Sequence, residues 1–264
     1  MKVILSCTDN PLYSFYIPIV ALAWRMLGVT YPCFIIPEKR SKAMQYAIDS
    51  AGSINWIETK FKKDREITYF QVARLLHNGA SGGYNDYVIT SDIDMIAFRP
   101  LIDAIERQLT LQNFVIVGAD LTPESQYPMC YAAAYERTWD KVFNPDRLSF
   151  EELLEKNAGH VEGDNIRGNF WCLDQEILKN TVDNSGVDVA KIDRRISDSQ
   201  RTARNRADRD GWNFDNKGLW DSHLKRPGYE NDNLKTIIDL LKAQYPEENF
   251  DWMVEYRNLF VSLL

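Results

Sequence analysis

Two aspartates separated by one residue stand out in the segment YVITSDIDMIAFRP, residues 87–100. Asp92 and Asp94 directly follow an apolar run and interrupt a stretch that is otherwise hydrophobic. Carboxylates are seldom buried unless they are paired or bind a metal. Residues i and i+2 of a strand lie on the same face, so the two carboxylates could share one divalent cation. Oxygen ligands suit Mg²⁺ or Mn²⁺, and the alternative is a polar loop whose aspartates cap a helix.

The elements that would position these aspartates alternate along the chain. The runs KVILSC, YPCFIIP, INWIET and DYVITS are typical of buried strands, and the segments between them have helical periodicity, with Pro18 expected to start or kink the first helix. This alternation predicts an α/β fold with a mostly parallel central sheet flanked by helices. Ligands bind such sheets outside the carboxyl ends of the strands, where Asp92 and Asp94 are expected to lie. The polar segment 183–218 is predicted to be irregular.

The composition limits the possible partners and surroundings of the chain. A net charge of -7 over 264 residues argues against general nucleic-acid binding. No apolar run approaches the roughly 20 residues that span a bilayer, and we expect neither a signal peptide nor a transmembrane segment. The four cysteines form no CxxC pair, which favours reduced thiols and a cytoplasmic location. No stretch is typical of a linker, so we predict a single domain over residues 1–264.

A longer stretch around the aspartates, TYFQVARLL followed by YNDYVITSDIDMI, resembles the GT-A glycosyltransferases, especially glycosyltransferase family 8. In that family a helix with an Arg before a Leu precedes a strand that ends in the DxD metal motif. The resemblance implies a GT-A, Rossmann-like domain with a nucleotide-binding half, about 1–100, and an acceptor-side half, about 101–264. It also implies that Asp92 and Asp94 bind a divalent metal and that Arg74 lies near the donor.

The segment CTDNPLYSFY resembles the family's first loop, which contacts the nucleotide. By that resemblance Thr8, Asp9 and Asn10 lie beside the base and the ribose. The alternative for this segment is an ordinary Asx-type turn.

Two later segments resemble the family in the same order. FWCLDQEIL resembles an Asp-Gln pair that opens a helix near the reactive carbon, which implies catalytic roles for Asp174 and Gln175; the alternative is a helix-capping Asp. DSHLKRPG resembles a late segment in which His is a third metal ligand and Lys meets the pyrophosphate. His223 holds the His position. The spacing is shorter here and a glycine is missing, so the phosphate contact is left open between Lys225 and Arg226.

Together these segments predict a metal-dependent glycosyltransferase. The resemblance implies a nucleotide-diphosphate sugar donor, a glycan or other hydroxyl acceptor and retention of configuration; UDP is the expected nucleotide and a guanine nucleotide stays open. A His ligand favours Mn²⁺ over Mg²⁺. One rival is a sugar-phosphate nucleotidyltransferase, which would carry a Gly-rich loop after the first strand, whereas SCTDNPLYS has no glycine. The other rival is a non-catalytic nucleotide- or carbohydrate-binding module, which needs no metal triad with an Asp-Gln pair.

Two further features each have two interpretations. The charged segment 191–210 is either a solvated surface excursion or a lid over the anionic donor. The aromatic residues Trp212, Phe214 and Trp220 are either a stacking platform for sugars or part of the core.

Overall fold

The computed structural model describes residues 1–60, 66–76, 86–158, 172–197, 200–203, 205–214, 216 and 218–264. One of the segments between the predicted strands, residues 65–79, is expected to be helical from its periodicity, and both of its ends lie outside these residues. The strands are β1 (Lys2–Ser6), β2 (Cys33–Pro37), β3 (Asn55–Thr59), β4 (Tyr87–Thr90), β5 (Met95–Ala97), β6 (Asn113–Val117), β7 (Ala132–Tyr135), β8 (Asp188–Ile192), β9 (Arg195–Ser197), β10 (Gln200–Ala203) and β11 (Asp221–His223).

Helices follow most of the strands, as the alternating sequence pattern predicts. They are α1 (Pro11–Ser14), α2 (Ile17–Met26), α3 (Lys42–Ser50), α4 (Glu66–Ala73), α5 (Arg99–Gln108), α6 (Glu136–Phe143), α7 (Phe150–Ala158), α8 (Leu173–Asn184), α9 (Asn231–Gln244) and α10 (Trp252–Ser262). Pro18 lies in the first turn of α2, so it starts a new helix after a break at Phe15 and Tyr16. None of the helices in the described ranges is both long and apolar enough to cross a membrane.

Seven strands form the central sheet in the order β3-β2-β1-β4-β7-β6-β8. The pairs β1–β2, β2–β3, β1–β4 and β6–β8 are parallel, and β7 is antiparallel to both of its neighbours. In β1, Val3 and Leu5 belong to the core on one face and Ile4 belongs to the core on the other. Successive residues of a strand point to opposite faces, so the sheet has a buried core on each face, and helices cover both faces. The predicted mostly parallel α/β sheet is confirmed.

One central strand has little signal in the sequence. β7 contains Ala132, Ala133 and Ala134, all fully buried between β4 and β6. Alanine is depleted in strands, because its small side chain contributes little packing to a pleated surface. The position of β7 in the middle of the sheet outweighs that weak local preference.

The polar segment 183–218 is more regular than predicted. It contains the end of α8, the edge strand β8 and the hairpin of β9 and β10. β8 pairs with β6 on one edge and with no other described strand, and its side chains are partly exposed, which suits its polar sequence DVAKI. The predicted irregular excursion was therefore wrong over residues 188–203 as far as the structure describes them.

A second, two-stranded sheet lies outside the central one. β5 and β11, each of three residues, pair antiparallel with Asp221 opposite Ala97 and His223 opposite Met95. β5 directly follows the DxD segment, so this pairing joins the end of the predicted nucleotide-binding half to the late segment of the chain. The chain then ends in α9 and α10, and α10 packs on the core through Met253, Tyr256 and Phe260.

Candidate functional site

A cavity of about 550 Å³ opens at the carboxyl ends of the central strands. It lies where the chain switches direction across the sheet: β2 lies on one side of β1 and β4 on the other. Open α/β sheets bind ligands at such a switch point. All the predicted site residues except Asp9 and Lys225 line this cavity: Thr8, Asn10, Arg74, Asp92, Asp94, Asp174, Gln175, His223 and Arg226.

The pairing of β5 with β11 brings His223 to the DxD segment. The amide of Leu224 donates to the carbonyl of Asp94 at 2.7 Å, which fixes the two chains beside each other. The Nε2 atom of His223 then lies 3.5 Å from Oδ2 of Asp94. Residues more than a hundred positions apart in the sequence thus face each other at the cavity.

Asp94 is a buried carboxylate whose negative charge is only weakly compensated by neighbouring cations. Its exposed fraction is 4%. Burial raises its pKa, the nearby Asp92 raises it further, and His223 and Arg226 act in the opposite direction. Arg226 Nε lies 3.5 Å from Asp94 Oδ2, a distance too long for a strong hydrogen bond. A cation at this position would relieve the cost of holding the charge.

Arg74 joins two carboxylates on the opposite wall of the cavity. The guanidinium is buried, and Nη1 donates to Oδ1 of Asp92 and to the carbonyl of Ser91 at 3.1 Å. Nη2 donates to Oδ2 of Asp174 at 3.0 Å. Because the one guanidinium is shared by two carboxylates, the three side chains together carry an excess negative charge. Arg74 is therefore a link between the DxD strand and the start of α8.

Asp174 and Gln175 are arranged differently, although both line the cavity. Asp174 is 2% exposed, and its Oδ1 accepts from the Gln175 amide at 2.9 Å while Oδ2 is held by Arg74. Burial raises the pKa of Asp174 to about 6; Arg74 lowers it and Asp92 raises it. The Gln175 side chain is half-buried. Of the two predicted catalytic residues, Gln175 thus has the side chain more accessible to a substrate, and Asp174 positions Arg74.

No protein-family model matches the chain, and no curated protein matches it either. Solved structures do. The galactosyltransferase LgtC, in complex with donor and acceptor sugar analogues, is 15% identical; the match covers 96% of this chain and 99% of LgtC with a TM-score of 0.50. The bifunctional glycosyltransferase WbbM in its apo form is 12% identical; the match covers 98% of this chain and 51% of WbbM with a TM-score of 0.52.

The chain has a GT-A fold. This confirms the fold that the sequence resemblance implied. At such low identity a shared fold does not carry activity with it, so function has to be argued from the side chains at the GT-A cavity.

The predicted metal ligands fit a divalent cation in part. Asp94 Oδ2 and His223 Nε2, 3.5 Å apart, are close enough to bind one ion together. Asp92 uses Oδ1 for Arg74. Within the described ranges, no group of three or more His, Cys, Asp or Glu side chains is arranged to hold a metal. The remaining ligands of an ion in this GT-A cavity would come from a diphosphate and water, as is usual for Mg²⁺.

Two of the three residues of the predicted nucleotide loop line the cavity, and the third binds to a neighbouring helix. Thr8 and Asn10 line the cavity. The Oδ1 atom of Asn10 also accepts from the Leu12 amide at 3.0 Å, which makes the segment an Asx-type cap of α1 as well. Asp9 instead accepts from the amide and hydroxyl of Ser41 at 2.6 and 2.7 Å, which ties the loop to the start of α3.

Lys225 and Arg226 point in different directions. Lys225 Nζ lies 5.1 Å from the centre of the Trp212 ring and donates to Thr236 at 3.3 Å, away from the cavity. Arg226 lines the cavity, donates to the Tyr13 hydroxyl at 2.5 Å and stacks 5.2 Å from the centre of that ring. Of the two cations that the sequence left open, Arg226 is the one at the GT-A cavity.

Sequence reasoning missed two arginines of the cavity. Arg194 and Arg206 line it, although the segment 191–210 was interpreted as a surface excursion or a lid. The nearby aromatic residues Trp212, Phe214 and Trp220 pack on the larger core and are not among the residues that line the cavity. The only local signal was the density of basic residues in this segment, which does not identify the ones that face inward.

Proposed function

We propose that the protein is a metal-dependent glycosyltransferase that moves a sugar from a nucleotide-diphosphate sugar, with UDP as the expected nucleotide, to a glycan or other hydroxyl acceptor. The observation that carries this proposal is the pairing of β5 with β11. It brings His223 and Arg226 to the buried carboxylate of Asp94 at the switch point of a GT-A sheet.

The leaving group explains why these residue types are useful together. A nucleoside diphosphate gains negative charge as the glycosidic bond breaks, and cations fixed beside it stabilise that charge. Asp92, Asp94 and His223 would hold Mn²⁺, or Mg²⁺, which when bound acts as a Lewis acid toward the diphosphate. Arg226 lies next to Asp94 and would add a second, permanent positive charge.

The side of the cavity that carries Arg74, Asp174 and Gln175 would contact the transferred sugar. Gln175 is close enough to the cavity to contact the reacting carbon or its ring oxygen through its amide. Asp174 would keep Arg74 in place, so that Arg74 both fixes Asp92 and presents a charged surface to the donor. Retention of configuration is the expected stereochemical outcome, and NMR of the first-formed product would distinguish it from inversion.

Two further observations support the proposal. LgtC, whose fold this chain shares, has been solved with donor and acceptor sugar analogues, and this chain has a cavity at the carboxyl edge of that fold's sheet. The four cysteines are free thiols, which is expected of a protein that acts in the reducing cytoplasm.

The test is release of nucleotide. The protein would be incubated with UDP- and GDP-sugars in Mn²⁺, Mg²⁺ or EDTA, with and without simple sugar acceptors, and free nucleoside diphosphate would be measured. We expect release with at least one donor, dependent on metal and absent in Asp94→Asn. The matched control is Asp251→Asn, because the Asp251 side chain is 78% exposed and is not among the residues that line the cavity. If the protein instead released pyrophosphate when given a sugar phosphate and a nucleoside triphosphate, it would be a nucleotidyltransferase. Binding without turnover would identify a non-catalytic module.

A further inference from the structure

The proposed transfer leaves one charged part of the cavity without a role. Arg194 and Arg206, which precede β11 in the chain, both line the cavity. Arg194 donates from both Nη atoms to the two oxygens of Asp221 at 2.7 Å each, and both side chains are buried. Arg194 is thus fixed by a bidentate ion pair, and it holds β11 in place.

Arg206 is held much less completely. Its side chain is only 14% exposed, and its Nε atom donates to Oδ1 of Asp208 at 3.2 Å. Within the ranges that the structure describes, neither Nη atom of Arg206 donates a hydrogen bond. Arg74, by contrast, uses both of its Nη atoms on carboxylates. The terminal fork of Arg206 keeps some exposure to the cavity and binds no acceptor of the described protein, so it can pair with an acceptor that enters the cavity.

Ion pairs surround Arg206. Those between described residues join three arginines, Arg194, Arg206 and Arg209, to two aspartates, Asp208 and Asp221. The Arg209 side chain is 59% exposed, so solvent screens it. Burial acts to lower the pKa of Arg206, but Asp221 and Asp208 outweigh burial and raise it. Arg206 therefore stays charged at the cavity.

The position of the cluster separates it from the nucleotide loop. The amide of Gly118, at the end of β6, donates to the carbonyl of Ile192 at 2.8 Å, and a Cβ atom on Gly118 would lie 3.4 Å from Arg194 Cδ. β6 is two strands away from β4, or about 10 Å at the usual strand spacing. Asp208 Oδ1 also accepts from the His223 amide at 3.0 Å. Arg206 is thus linked through Asp208 to the predicted metal ligand His223.

We propose that Arg206 binds an anionic group, a carboxylate or a phosphate, carried by a sugar substrate of the reaction. The inference rests on the proposed sugar transfer. A guanidinium fork pairs with these groups through two parallel hydrogen bonds, which Lys cannot reproduce. The anion would be either on the transferred sugar, as in a uronic acid donor, or on the acceptor. The diphosphate itself is assigned to Asp94, His223 and Arg226.

The test is a binding measurement, so it does not require turnover. Calorimetry in Mn²⁺ would compare UDP, UDP-glucose and UDP-glucuronate. Saturation-transfer NMR in the presence of Mn²⁺ and UDP would compare glucose with glucuronate and with glucose 6-phosphate. The variants are Arg206→Gln and Arg206→Lys, and the control is Arg209→Gln, which removes the exposed charge of the same cluster.

The wild-type protein should bind at least one charged probe more tightly than its neutral partner. Arg206→Gln should abolish that preference, a loss of about ten- to a hundredfold. Arg206→Lys should restore part of it, and Arg209→Gln should keep it. A loss confined to UDP-glucuronate identifies the donor as the source of the anion, and a loss confined to glucuronate or glucose 6-phosphate identifies the acceptor.

Two results would overturn the proposal. One is a wild-type protein that does not distinguish any charged probe from its neutral partner. The other is an Arg206→Gln variant that loses the same affinity for UDP alone as for the charged sugars, because Arg206 would then serve the diphosphate. In either case, sugar transfer with neutral substrates would still support the proposed function. If no donor gave nucleotide release, that result would count against the proposed function, and the binding measurements would still decide the role of Arg206.

Discussion

The two walls of the cavity are built in different ways. The strand-end wall, formed by Arg74, Asp92 and Asp174, stands on β4 of the central sheet and on α8, elements with apolar faces in a core. The late-segment wall, formed by His223, Arg226, Arg194 and Arg206, stands on β11, which has three residues and pairs only with β5 among the described strands. Hydrophobic packing positions the first wall.

The second wall packs on the core through Leu219 and Leu224, but it depends on buried charge as well. Asp221 is fully buried at the start of β11 and is held by Arg194, and the His223 amide is held by Asp208. Buried ion pairs contribute little to net stability, but loss of one partner leaves an uncompensated charge. The comparison indicates that the late-segment wall can be displaced by a single substitution far from the DxD, whereas the strand-end wall can lose its chemistry and keep its fold.

The largest effect should come from breaking the anchor of the late-segment wall. Arg194→Met leaves Asp221 buried without its bidentate partner, and we expect a loss of about 3–5 kcal/mol in the free energy of unfolding. Metal-dependent nucleotide release should also fall, because β11 carries His223. Denaturant titration measures the first quantity. Lys242→Met is the control, since it breaks the exposed pair with Asp251 and should cost about 1 kcal/mol or less. Equal losses in the two variants would remove the anchoring role.

Removal of Asp94 should separate chemistry from stability. Asp94→Ala should lower nucleotide release by about a hundredfold or more, because the leaving diphosphate loses its metal. The midpoint of unfolding without metal should change little, since burial and Asp92 already disfavour the charged carboxylate. Turnover near the wild-type rate in Mn²⁺ would contradict the metal assignment, and Asp251→Ala provides the baseline.

A smaller effect on rate is expected at the strand-end wall. Asp174→Asn keeps the size of the side chain and removes the charge that pairs with Arg74, so turnover should fall by about ten- to a hundredfold. The apparent affinity for the donor should stay nearly unchanged, because the proposed role of Asp174 is at the reacting carbon and not at the diphosphate. Steady-state kinetics with the active donor measures both quantities. If affinity and rate decrease equally, Asp174 instead helps to form the donor site as a whole.

The smallest effect concerns pH. Burial raises the pKa of Asp174 to about 6, above the value of an unfolded carboxyl. The folded protein therefore binds a proton more readily than the unfolded chain between about pH 6 and pH 4, and this residue's contribution to stability rises as the pH falls. From pH 7 to pH 5 the gain should be about 1 kcal/mol in wild type relative to Asp174→Asn. Parallel stability curves for the two proteins would show that the carboxyl titrates normally.

The same contrast explains which parts could be predicted from sequence. Apolar runs such as those of β1 and β2 identify buried strands, and their order identifies the carboxyl edge where Asp92 and Asp94 lie. β7 and β8 were missed because Ala132–Ala134 has low strand preference and because β8 is a polar edge strand. Tertiary neighbours, rather than local preference, determine both.

The late-segment wall has almost no local signal. His223 was predicted as a metal ligand from the family resemblance alone, and the sequence gives no indication that Asp221, two residues earlier, is fully buried. Its burial depends on Arg194, 27 positions away in the chain. Likewise, nothing in the sequence distinguishes Lys225 from Arg226; the direction of each side chain is set by Trp212 and Tyr13, which lie in other parts of the fold.

Hydrogen exchange across residues 219–227 tests the central claim most directly. If His223 completes a metal and nucleotide site with Asp94, then Mn²⁺ together with UDP should slow amide exchange in this segment, including the Leu224 amide that donates to Asp94. The protection should disappear in His223→Ala and persist in Asp251→Asn. A wild-type protein in which this segment exchanges at the same rate with and without Mn²⁺ and UDP would contradict the assignment of His223.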